Sequence, residues 1–162
     1  MKRAAFTLVE LLVVISIIGL LSTIALVGLN SARRQSRNIK RIADVKQMVT
    51  AFNLGLDANG TYPTGTLWRC VSASCYGNRG TFVADGTTNN FFQPYMANLP
   101  VDPSDAGSRT SGGYLYNGTG GSGYPSGHLI NYLLEPPAAC GPGYIFSTTA
   151  NYVECVVNLD TN

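Results

Sequence analysis

The sequence predicts an α+β fold, in which one long N-terminal helix packs its second half against a small antiparallel β-sheet. Three observations predict it. Residues 11–32 form a run of 22 residues without a charge. Behind that run, apolar residues recur every three or four positions as far as Leu56. Beyond Asn59-Gly60 come short alternating segments separated by Gly- and Pro-rich turns. Helix periodicity followed by strand periodicity is the pattern of a helix-plus-sheet domain. A length of 162 residues suits one such domain plus an anchor.

The uncharged run is dominated by Leu, Ile and Val, so it is apolar on every face and must be surrounded by lipid or by protein. At about 1.5 Å per residue it spans about 33 Å, close to the hydrocarbon core of a bilayer at about 30 Å. A signal peptide removed after a small-x-small site is the plain alternative, and Ser22-Thr23-Ile24-Ala25 offers a poor version of such a site. Glu10 does not fit that alternative. A carboxylate at the front of an apolar run is costly there unless it has a partner, and the run itself offers none that is evident.

Residues 1–5 are short and basic, with Lys2 and Arg3, and Phe6-Thr7-Leu8-Val9-Glu10 leads into the apolar run. This combination resembles the class III leader and N-terminal helix of type IV pilins and the related pseudopilins. The resemblance implies that a prepilin peptidase cuts between Ala5 and Phe6 and then methylates the new amine of Phe6. It places Ala5 where the family usually has Gly. It also implies the pilin fold, a cytoplasmic leader end, and a role in assembly for Glu10. A new α-amine is mostly cationic near neutral pH. A buried carboxylate and a buried ammonium cost much less together than apart, so Glu10 of one subunit is expected to meet the Phe6 amine of another during polymerisation.

Gly19 and Gly28 interrupt the apolar helix, each at a cost of about 0.8–1.0 kcal/mol relative to Ala. Two readings stand side by side: helix flexibility, which the resemblance implies for the assembled fibre, and close helix packing through small residues. Arg33, Arg34, Arg37, Lys40 and Arg41 then form a basic collar. It reads as a solvated face or a contact with lipid phosphates, and secondarily as a nucleic-acid contact once displayed in a filament. After it, Ile39, Ile42, Val45, Val49, Phe52 and Leu56 make the stripe expected to face the domain. One nearly continuous helix is expected over residues 6–56. The expected division is a leader at 1–5, a membrane or filament-core half-helix at 6–32, an amphipathic half-helix at 33–58 and a β-rich head at 59–162.

The charge is split. Residues 1–46 hold eight of the eleven Lys and Arg, and the rest of the chain has three basic against seven acidic residues, about −4. A dedicated nucleic-acid-binding domain would be strongly basic throughout. In the head, the turn at 59–65 and the stretches 94–107 and 113–117 extend the resemblance. Strands are expected at 113–117, 128–135, 144–147 and 152–158, the last with Val153, Cys155 and Val157 on one face. Cys70, Cys75, Cys140 and Cys155 lack the spacing and His partners of a metal site, and disulfides place the head outside the cytoplasm. Three pairings are open, of which the two sequence-local ones, 70 with 75 and 140 with 155, are chosen.

No enzymatic activity and no catalytic residue is expected, since His128 stands alone and paired cysteines are not nucleophiles. No cofactor or metal is expected either. The resemblance raises a structural Ca2+, with Asp102, Asp105 and Asp160 as acids, but the dense Asp-x-Asp loop that supplies six to eight oxygens is missing. The nine Tyr suit either subunit interfaces or core packing. Asn59 and Asn117 each head an Asn-x-Thr triplet, a short pattern that matches glycosylation acceptors.

Three functions follow. The chain is a pilin that polymerises with itself into surface fibres for adhesion, motility or DNA uptake. Or it is a pseudopilin of a periplasmic secretion piston. Or it is a monomeric membrane-anchored binding protein, against which Glu10 argues. The implied partners of the first two are the prepilin peptidase, an assembly platform in the inner membrane, and the membrane before assembly. The pilin would pass from a single-pass state in the cytoplasmic membrane to an extracellular pilus.

Overall fold

The computed structural model describes residues 7–72, 75–77, 86–103, 111–121 and 123–161. Helix α1 runs over Leu8–Asn59, 52 residues. The chain forms two compact units, residues 1–36 and 37–162. The first is helix. Its described large apolar side chains are open, from Leu8 at 78% to Leu29 at 46% exposed.

In the second unit, strands β1 (Arg69–Cys70), β2 (Tyr76–Gly77), β3 (Ser111–Gly112), β4 (Leu115–Asn117), β5 (Leu129–Leu134), β6 (Tyr144–Thr148) and β7 (Val153–Asn158) are joined by a short helix α2 (Gly86–Phe92) and one 3-10 turn (Gln93–Tyr95). A five-stranded antiparallel sheet has the order β1-β4-β5-β7-β6, and β2 pairs with β3. The four expected strands are present, each within a few residues of its expected bounds.

Helix and sheet meet through one apolar core. Val45, Met48, Val49 and Phe52 from α1 pack with Ile130, Tyr132 and Leu134 of β5 and with Val153, Cys155 and Val157 of β7. The face of the last strand that Val153, Cys155 and Val157 were expected to share is therefore the core face. Phe52 is the hub, with ring centroids 4.8 Å from Tyr116, 5.0 Å from Phe92 and 5.9 Å from Phe91. Gly55 makes room for α2, because a Cβ there would lie 2.5 Å from the Phe91 ring. Four tyrosines belong to this core, Tyr62, Tyr114, Tyr116 and Tyr132, and each hydroxyl has an acceptor: Asn53, Asp44, Pro63 O and Pro142 O. Those four are explained by aromatic burial with a satisfied polar tip.

The expected stripe needs two corrections. Ile39 is 60% exposed, and Arg41, placed in the solvated collar, is fully buried. The buried row is Asn38, Arg41, Val45, Met48 and Phe52, so the helix begins its contact with the sheet through polar groups. The other face of the sheet is covered at its centre, since all six residues of β5 are buried, while the edge strand β6 is exposed. There Asn131 donates to Glu154 at 2.7 Å, and the Tyr124 hydroxyl donates to the same carboxylate. Tyr124 comes from the Gly-rich connection between β4 and β5 and stacks on Phe146 at 4.1 Å.

Candidate assembly site in the N-terminal helix

Helix α1 starts on Thr7-Leu8-Val9-Glu10, which has the spacing of a capping box. The first N–H groups of a helix lack intrahelical acceptors, and this arrangement supplies them. The Thr7 N–H donates to Glu10 Oε2 at 2.9 Å, the Thr7 hydroxyl donates to the same oxygen at 2.6 Å, and the Glu10 N–H donates to Thr7 Oγ1 at 3.3 Å. Glu10 thus has a partner inside its own chain, and it lies just ahead of the apolar run, which itself was expected to offer none. The Thr-x-x-Glu spacing is the signal that announces it. Both residues are exposed. Ala5 and Phe6, the expected cleavage and methylation residues, lie outside the described residues.

The apolar surface behind Glu10 has nothing from its own unit to cover it. Each such Leu, Ile, Val or Phe is worth about 1.5–3 kcal/mol when fully taken out of water, so the segment is driven into lipid or against other helices. Gly19 and Gly28 have no atom within 4 Å of where a Cβ would stand. Among the described residues neither glycine is needed for packing, and flexibility and helix–helix contact are both readings for the assembled fibre.

Within residues 37–162 the collar resolves into a buried polar clamp. Arg41 Nε donates to Asp102 Oδ1 at 3.0 Å, with Nη2 2.9 Å from that oxygen, and Arg41 Nη1 donates to Asn38 Oδ1 at 2.9 Å and to Glu135 Oε1 at 3.1 Å. Arg37 grips Glu135 with two bonds of 2.7 and 2.6 Å. These hydrogen bonds from Glu135 outweigh partial burial and push the Arg37 guanidinium pKa further up. Asn38 exchanges two bonds with the Glu135 backbone, at 2.8 and 2.9 Å. Lys40 donates to Val101 O at 2.7 Å. Arg37, Lys40 and Arg41 are thereby committed to the fold.

The acids weighed for calcium are engaged too. Asp102 accepts from Arg41 and from the Gly113 N–H at 3.1 Å. Asp160 accepts from the His128 N–H at 2.9 Å and lies 2.7 Å from His128 Nδ1. Burial raises the Asp160 pKa, but these bonds outweigh it and hold it below the ordinary value. Asp105 lies outside the described residues. Both local disulfides are formed, Cys70–Cys75 with Cα atoms 5.8 Å apart and Cys140–Cys155 at 5.7 Å. The second ties the loop before β6 to β7.

Residues 1–26 match the family model described as the prokaryotic N-terminal methylation motif. No curated protein and no solved structure matches the chain. With its apolar helix and its Glu10 cap, this chain therefore carries the class III leader of type IV pilins and pseudopilins.

Proposed function

We propose that the chain is the structural subunit of a type IV pilus, anchored by its N-terminal helix in the cytoplasmic membrane and then polymerised through that helix into a surface filament. The observation that carries this reading is Glu10, a carboxylate held at the mouth of an apolar segment that matches the methylation motif. A prepilin peptidase would free the Phe6 amine, and an inner-membrane platform would deliver the subunit. Thr7 uses one carboxylate oxygen of Glu10, and a carboxylate accepts about four hydrogen bonds in all. Acceptor capacity remains for the amine of a neighbouring subunit. That pairing would set the register of entry more than it would add stability.

The motif is shared by pilins and pseudopilins, so a secretion piston is the second reading. Two disulfides favour the pilus, because they constrain loops that a displayed fibre exposes to proteases. The test is electron microscopy of sheared cell-surface material from wild-type and E10Q cells. Long fibres of this chain in the wild type, lost in E10Q, are expected. Wild-type fibre yield in E10Q would refute the role of Glu10. Absence of surface fibres in the wild type, together with a secretion defect on deletion, would favour the piston.

A further inference from the structure

Two Asn-x-Thr triplets occur in the described residues, Asn59-Gly60-Thr61 and Asn117-Gly118-Thr119, and the fold treats them in opposite ways. Asn117 is 2% exposed. Its Oδ1 accepts the N–H groups of Thr119 and Gly120, both at 2.9 Å. Gly118 donates its N–H to Gly65 O at 3.0 Å, and a Cβ on it would stand 2.6 Å from Pro63 O. No sugar could be attached to Asn117 without dismantling the start of the β4–β5 connection.

Asn59 is the reverse case. Residues 57–61 are all exposed, so acceptor, spacer and hydroxyl face solvent together. The triplet sits on the last residue of α1, where the chain turns through Gly60 at φ +77°. Few bonds hold it: Gly60 N–H to Leu56 O at 2.7 Å, Asn59 Nδ2 to Gly55 O at 2.8 Å, and the Thr61 hydroxyl to Tyr62 O at 3.2 Å. A transferase that needs the triplet extended has to open only the final turn of a helix, the part that opens at least cost. After modification Nδ2 keeps one hydrogen, enough to restore its bond to Gly55 O.

We propose that Asn59 is an N-glycan acceptor and that Asn117 is not. The donor is a sugar activated as a lipid-linked diphosphate ester. Asn59 Nδ2 forms the bond to the sugar's anomeric carbon, the bond from that carbon to phosphate oxygen breaks, the lipid diphosphate leaves with the electron pair, and the amide gives up one proton. No oxidant or reductant is involved. The reaction belongs to the compartment in which the two disulfides form.

The sequence supplies its own assay. Trypsin cutting after Lys46 and Arg69 isolates residues 47–69 with Asn59, whereas Asn117 falls in residues 110–162, which contain no Lys or Arg. The full chain, purified from its native cells, is digested and weighed by mass spectrometry. A glycan mass on residues 47–69 is expected, abolished in N59Q and T61A, retained in T61S and unchanged in N117Q. N59Q, T61A and T61S change exposed positions, with T61S keeping the hydroxyl as a control for folding, whereas N117Q changes a buried one. An unmodified 47–69 peptide, a mass that survives N59Q, or a glycan confined to residues 110–162 would overturn the proposal.

Discussion

Replacing Arg41 by Ala is expected to be the most damaging single change in residues 37–162. Arg41 is fully buried and holds Asp102, itself 3% exposed at the side chain, and Glu135 at 15%. Removal takes the buried guanidinium away from Asp102, which keeps the Gly113 N–H, and from Glu135, which keeps Arg37. Breaking one partner out of a buried pair costs about 3–5 kcal/mol. That is a large share of the roughly 5–15 kcal/mol by which a whole domain is stable. With a urea m-value of about 2 kcal/mol/M, the unfolding midpoint falls by roughly 1.5–2.5 M. The chain has one Trp, Trp68, whose ring lies 4.9 Å from Tyr124, so its fluorescence reports unfolding of this unit in detergent-solubilised full chain. The double variant R41M/D102N removes both charges while keeping an acceptor for Gly113, and it should lose much less than the two single variants summed. A loss under about 1 kcal/mol in R41A would refute the reasoning, as would strict additivity in the double variant.

Three further outcomes are expected. Replacing Cys140 and Cys155 by Ser should cost about 3 kcal/mol on the chain-entropy model, against about 2 for the shorter Cys70–Cys75 loop, read by the same urea titration. Stability should fall as pH rises above about 10. Burial pushes Tyr132 up to about 12, and burial also lifts Tyr114 and Tyr116 well above the ordinary value, with a bond to Asp44 adding to the shift at Tyr114. The unfolded chain then releases tyrosine protons before the folded one does, and Tyr132 alone accounts for on the order of 2–3 kcal/mol by pH 12. Stability that holds through pH 12 would contradict this. Finally, T7V should free the first turn of α1 at a cost of about 0.5–2 kcal/mol, seen as faster amide exchange in that turn in micelles, with T7S close to wild type.

The long helix and the last strands were legible because their periods are long or clean. An uncharged run of membrane length, a three-four stripe and the alternation of Val153, Cys155 and Val157 each need only local sequence. Helix α2 was not legible. Gly86-Thr87-Thr88-Asn89-Asn90 are poor helix formers, and the helix exists because Phe91 and Phe92 dock on Phe52 and Gly55. Strands of two residues, such as β1 and β2, carry no period at all. Arg41 looks like its collar neighbours in sequence, and its acids stand 61 and 94 positions away. In the candidate site, Glu10 and the apolar run were legible, and the Thr7 cap was written in the four-residue spacing. The partner of the proposed amine contact belongs to another subunit.

The most direct test of the account is the mass of the N-terminus of the chain recovered from sheared filaments. The account requires a chain that begins at Phe6, lacks residues 1–5 and carries one methyl group on its amine. A chain that keeps residues 1–5, or one cut beyond the apolar run and recovered as a free head, would contradict it.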